Sequence, residues 1–146
     1  MAPFRHVLVA VDFAESSRRA LDLAVDLVAG TDARLTVLHV CELPAMVYGD
    51  FGFSLVDVIG PMQDAAKAQL VQLMSEVRAK VPAAKSELRT GLAWEGTLAA
   101  AQEDGVDLVV VGTHGRRGLK HALLGSVAEK IVRMSKVPVL TVRGAA

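Results

Sequence analysis

The sequence predicts an α/β fold, one doubly wound parallel sheet with helices on both faces. Three observations predict it. Strand-like and helix-like segments alternate in the order β-α-β-α-β-α-β-α-β, the pattern of successive parallel βαβ units. The strand-like runs Val7–Val11 and Leu108–Val111 are continuously apolar, as expected for strands covered on both faces. The chain of 146 residues has the length of one domain, taken as 1–146, which needs no disulfide or metal staple to hold its core.

Val7–Val11 is the first strand and ends at Asp12. A helix is expected over 16–29, with Ala20, Leu23, Ala24, Leu27 and Val28 at three- and four-residue spacing. Ser16 reads as its N-cap and Gly30 as its left-handed terminator. The second strand is Leu35–Val40. Gly60-Pro61 is read as the start of the next helix, whose apolar stripe is Ala66, Leu70, Leu73 and Val77 and which stops before Pro82. Lys85–Thr90, with Leu88 as its one clearly apolar residue, is expected at a sheet edge. Trp94–Glu103 reads as a short helix ended near Gly105, with Trp94 packing it on the sheet. Leu108–Val111 is the fourth strand. A helix over 126–135, burying Val127, Ala128, Ile131 and Val132, leads to the last strand, Val137–Val142.

One connection is too long. Glu42–Ile59 far exceeds the usual two to six residues and holds Tyr48, Phe51 and Phe53. It reads either as a loop or short helix folded over the core or as a flexible flap or partner-contact segment beside the ligand site.

Composition narrows the function. The chain is 52% hydrophobic and 22% charged, too apolar for disorder. Its formal charge is zero, which gives no support to wholesale binding of nucleic acid or an anionic membrane. The N-terminus shows no charged leader followed by an apolar core, and no run approaches membrane-spanning length. The expected location is cytoplasmic. The single cysteine, Cys41, allows no internal disulfide and no CxxC pair. It reads as a small buried residue, and His39 beside it as a core or edge histidine rather than a metal ligand.

The chemistry points to the stretch from Gly112 to Val127. It follows the fourth strand, and ligands of open α/β sheets sit beyond the carboxyl ends of the strands. Glycines let backbone N–H groups approach phosphate oxygens, and Gly125-Ser126 at a helix start adds unpaired donors, a dipole and a hydroxyl. Between His114 and Lys136 lie Arg116, Arg117, Lys120, Lys130, Arg133 and Lys136 against Glu129 alone. Arg116 is the best placed of these to fork onto a phosphate; Lys130, Arg133 and Lys136 read as the solvated face of the last helix. The loop is neither a Walker A motif, since no lysine precedes Ser126, nor a GxGxxG fingerprint. No Ser/His/Asp set can be read from residue order. Asp12 by itself reads as a cap for the first helix or for an entry turn ahead of it.

The full spacing Gly112-x2-Gly115-x9-Gly125-Ser126, with Asp12 at the end of the first strand, resembles the nucleotide-binding signature G-x2-G-x9-G-[ST] of the universal stress protein family. The flanks Thr113–Arg116, Gly125–Val132 and Val137–Val142 are also similar, and the resemblance runs over essentially the whole chain. It implies a five-stranded parallel sheet of order 3-2-1-4-5, of the adenine nucleotide alpha hydrolase-like kind, and a homodimer through the C-terminal strand Val137–Val142. It places the chain with the ATP-binding subgroup, with or without Mg²⁺. By resemblance, Asp12 contacts the ribose or adenine side, the backbones of Val11 and Val40 flank the base, and Gly112, Gly115, Gly125, Ser126 and Val127 wrap the ribose and phosphates. His114 and Arg116 lie in the loop between. The implied function is a nucleotide-dependent stress-response or regulatory protein, not an enzyme with fast turnover. Two alternatives stay open here: a slow Mg²⁺-dependent ATPase or phosphotransferase, and an interaction module that binds no nucleotide.

Overall fold

The computed structural model describes residues 3–43, 55–103, 105–114 and 124–144. The elements are β1 (His6–Ala10), α1 (Glu15–Val28), β2 (Arg34–Cys41), α2 (Leu55–Lys80), β3 (Lys85–Thr90), α3 (Ala93–Ala101), β4 (Leu108–Gly112), α4 (Ser126–Met134) and β5 (Val139–Val142). The five strands form one parallel sheet in the order β3-β2-β1-β4-β5, as expected. The register places Val7 between Leu35 of β2 and Leu108 of β4.

Side chains of a strand alternate between faces, and the core divides accordingly. Val7, Val9, Val37 and Val110 face one way and pack with Leu21 of α1 and Met74 of α2. Leu8, Leu38, Val109 and Val111 face the other and pack with Ala100 of α3 and Ile131 of α4. Burying both faces makes every β1 position apolar apart from His6, whose Nε2 meets Thr36 Oγ1 at 2.8 Å. Each fully buried Leu or Val contributes about 1.5–3 kcal/mol. Beneath the sheet's amino end, the Asp107 carboxylate accepts the N–H groups of Arg5 (2.8 Å) and His6 (2.9 Å). Burial pushes this carboxyl up, but those amides, its own N–H and the charge on His6 outweigh it and hold it below the usual carboxylate range.

Three sequence expectations need correction. Ser16 does not cap α1. The helix starts at Glu15 with Ala14 as N-cap and no side-chain cap, because the turn ahead of it is fastened by other groups and Ser16 is buried within the first turn. Gly60-Pro61 does not open α2, which begins at Leu55 and carries Pro61 inside. Proline there removes one N–H donor, and the helix continues through Ala66, Leu70, Met74 and Val77, all buried. Part of the long Glu42–Ile59 connection is therefore helical; residues 44–54, including Tyr48, Phe51 and Phe53, lie outside the described residues. Val127 and Val132 are not buried: they are 36% and 44% exposed. A helix of nine residues on one face of the sheet seals it with Ala128 and Ile131 only.

Other expectations hold. Gly30 has φ +76° just past α1, β3 is an edge strand, and Cys41 is buried, which pushes its thiol up. Trp94 packs on the α3/α4 core with Lys130 Nζ 4.7 Å above its ring. No helix of the described residues is long and apolar enough to cross a membrane.

Candidate functional site

β1 leads outward through β2 to β3, whereas β4 leads the opposite way to β5. Chain direction across the sheet thus reverses between β1 and β4, and a crevice at their carboxyl ends is where such sheets bind ligands. Two segments meet there: the β1–α1 turn with Asp12, and the end of β4 with Thr113 and His114.

The turn is fully fastened. The Val11 N–H donates to Leu38 O (2.8 Å), and His39 Nδ1 donates to Val11 O (2.7 Å). The Asp12 N–H donates to Ser17 Oγ (3.1 Å), which in turn donates to Ala14 O (3.1 Å). Asp12 Oδ1 accepts the Ala14 N–H at 3.0 Å. So Asp12 does perform the bland task of bracing the turn, with one of its oxygens. Between them, Phe13 adopts φ +66°, a left-handed conformation that costs a non-glycine residue roughly 1–2 kcal/mol. Packing compensates: Phe13 lies on the α1/α2 core and against the His39 ring, with centroids 4.5 Å apart. His39, half-buried near the carboxyl end of β2, supports the turn from the neighbouring strand. Among the described residues no cluster of His, Cys, Asp and Glu is arranged to hold a metal.

Gly112 ends β4 directly against α1. A Cβ there would meet Ser16 Oγ and come within 2.7 Å of the backbone atoms Ser16 C and Ser17 N. Its missing side chain therefore admits the start of α1, a reason the spacing of glycines did not reveal. Ser16 Oγ donates to His114 O, which ties α1 to the segment entering the glycine loop. Thr113 is buried: its N–H donates to Val142 O of β5 (2.9 Å), and its carbonyl accepts the Gly125 N–H (2.5 Å). Thr113 Oγ1 lies 3.1 Å from His114 Nδ1.

The loop's far end starts α4. Gly125 is its N-cap, with no side-chain cap, and Ser126 and Val127 are exposed. The first-turn amides of a helix have no intrahelical acceptor, so Ser126 and Val127 offer N–H donors at the positive end of the helix dipole. Gly125 differs from its expected part in one respect, since its own N–H is engaged by Thr113. Val11 likewise has its N–H taken by Leu38, so it presents shape and a carbonyl already bonded once. Val40 is buried beneath α3, where a Cβ on Gly96 would come within 2.8 Å of its Cγ2. Gly115 and Arg116, with Arg117, Lys120 and His121, lie outside the described residues.

Residues the sequence reading missed are Phe13, Ser17 and Thr113. Only Thr113 carried a signal, as a flank of the glycine spacing. A cavity of about 280 Å³ opens beside the same turn, between α1 and α2, lined by Phe13, Ser17, Leu21, Gln69 and Leu73 among others.

The universal stress protein family matches residues 3–143. A universal stress protein A homolog of Coxiella burnetii is 33% identical over 141 residues, spanning 95% of this chain and 96% of its own. The fold matches that of the universal stress protein UspA from Lactobacillus plantarum, with a TM-score of 0.82 at 23% identity, covering 98% of this chain and 100% of that one. A universal stress protein solved in complex with cAMP is 29% identical with a TM-score of 0.61, covering 95% of this chain and 96% of that one. With the family's match running from the first described residue to just past the end of β5, the chain belongs to the universal stress protein family.

Proposed function

We propose that this protein binds an adenine nucleotide, with ATP as its ligand, and acts as a nucleotide-dependent regulatory homodimer in the stress response without fast turnover. The observation that carries the reading is the pairing, at the sheet's switch point, of a carboxylate-bearing turn with an uncapped helix start. Asp12 would meet the ribose or base and the α4 amides the phosphates, with Gly115 and Arg116 completing the loop. The relative in complex with cAMP supports an adenine nucleotide. Efficient phosphoryl transfer needs a charge-neutralising cation and a group that orients the nucleophile. Arg116 can supply the cation, but no lysine precedes Ser126 as in a Walker A loop, which supports binding without fast turnover.

The reading as a homodimer is supported by β5, a half-exposed apolar edge strand. The carbonyls of Pro138 and Val142 accept the N–H groups of Val109 and Thr113, so by the alternation of a parallel ladder Val139 and Thr141 turn their amides to the open edge.

Ser126→Pro tests the site. Ser126 is the first residue of α4, where proline is welcome, and Gly125 has the extended conformation (φ −69°, ψ 168°) that a following proline demands. The substitution removes a hydroxyl and an N–H donor while leaving the helix intact. By calorimetry ATP affinity is expected to fall about tenfold or more, the loss of roughly 1.5–3 kcal/mol of charged hydrogen bonding, with the melting temperature unchanged. Undiminished ATP affinity would remove the phosphate site from α4.

A further inference from the structure

We infer that His39 is the positioning residue of the nucleotide's base-side contact, acting through the strained Val11–Ala14 turn. The inference rests on the adenine-nucleotide reading of this site. Its physical basis is independent of that reading.

A bulky aromatic residue in the left-handed region persists only where its surroundings over-determine it. At Phe13 the surroundings are few and identifiable. The turn's carboxyl side is fixed by Asp12 and Ser17, both on the same stretch of chain as Phe13. Among the described residues, the side chain of another strand shown against this turn is His39 of β2, and it does two things. Its Nδ1 holds the Val11 carbonyl at 2.7 Å, and its ring lies against the Phe13 ring, tilted by 36°. A carbonyl oxygen can only accept, so Nδ1 carries a hydrogen and donates it. The imidazole thus pins the residue before Asp12 through a hydrogen bond and the residue after it through ring contact. Asp12 is the residue between. Its backbone direction, and with it the carboxylate, is set by a side chain that acts through Val11 and Phe13.

This placement separates the two ends of the site. The phosphate end, at α4, is held by Thr113 and Gly125, with no contact to His39 among those shown. Loss of the His39 donor is therefore expected to weaken recognition of the nucleoside and to spare the phosphates.

Two variants test it, since asparagine retains an N–H donor at the Nδ1 position and leucine retains only bulk. Adenosine, ATP and inorganic tripolyphosphate are titrated by calorimetry into wild-type protein, His39→Leu and His39→Asn, and hydrogen exchange is read at the Ala14 amide. In His39→Leu, adenosine affinity should fall about tenfold, as for one lost buried hydrogen bond. Tripolyphosphate affinity should stay within about twofold, and the Ala14 amide should exchange faster. His39→Asn should restore adenosine affinity and Ala14 protection most of the way to wild type. Equal loss of adenosine and tripolyphosphate binding in His39→Leu, an asparagine variant no better than leucine, or unchanged Ala14 exchange would each overturn the positioning role. If the wild-type chain binds neither adenosine nor ATP, the nucleotide reading fails on its own. The Ala14 exchange in the two variants then decides whether His39 holds the turn.

Discussion

Gly112→Ala puts the close approach of α1 to the end of β4 under direct test. Elsewhere in a strand the change would be mildly favourable, since alanine loses less conformational freedom than glycine by about 0.5–1 kcal/mol. Here the new methyl group meets Ser16 Oγ and lies 2.7 Å from Ser16 C and Ser17 N. A side chain can rotate away, but those two are backbone atoms in the first turn of α1, which packs on the core through Ala20, Leu21 and Ala24. Overpacking of this kind costs about 1–3 kcal/mol; contact with backbone places it near the upper end. The net loss is then about 2 kcal/mol, or roughly 4–8 °C in melting temperature for a domain of this size. Denaturant and thermal unfolding monitored on Trp94, the sole tryptophan, measure it. Adding Ser16→Ala removes the hydroxyl conflict and leaves the backbone one, so the double variant should recover less than half of the loss. A Gly112→Ala protein as stable as wild type would refute the packing argument for this glycine.

Three further outcomes are expected. The Asp107 carboxyl is held below its unfolded value, so its contribution is complete above the unfolded pKa of roughly 3.9 and fades as pH falls through the lower folded value. Asp107→Asn should therefore lower stability at neutral pH by at most about 1 kcal/mol, given solvent screening, and flatten the acid limb below about pH 4; an unchanged acid limb in urea titrations would contradict this. Lys130→Met should remove the cation above Trp94, costing about 0.5–1 kcal/mol and altering tryptophan emission, and identical emission and stability would argue against the contact. Thr141→Pro takes away an outward edge donor without touching the β4 ladder; sedimentation should show dimers in the wild type and monomers in this variant, and a wild-type monomer at micromolar concentration would end the dimer reading.

The alternation of apolar runs and amphipathic stripes was enough to place all nine elements in order, because burial on both faces of a parallel sheet leaves its mark on nearly every residue of β1 and β4. Glycine spacing likewise located the loop between β4 and α4. What a local pattern could not carry was any feature decided by a distant partner. Ser16 looked like a cap because serine before an apolar stripe commonly is one, yet its hydroxyl is bound to His114, 98 residues away. Pro61 looked like a helix start because the missing N–H is harmless there, but α2 already begins at Leu55. Val127 and Val132 matched a helical period and yet are exposed, since among the described residues α4 buries only Ala128 and Ile131. Gly112 was read for its backbone and is needed for its lack of a Cβ, a matter of how closely two elements approach. The tilt of Phe13 into the left-handed region belongs to the same class: it depends on His39, which tertiary contact alone brings within reach of the turn.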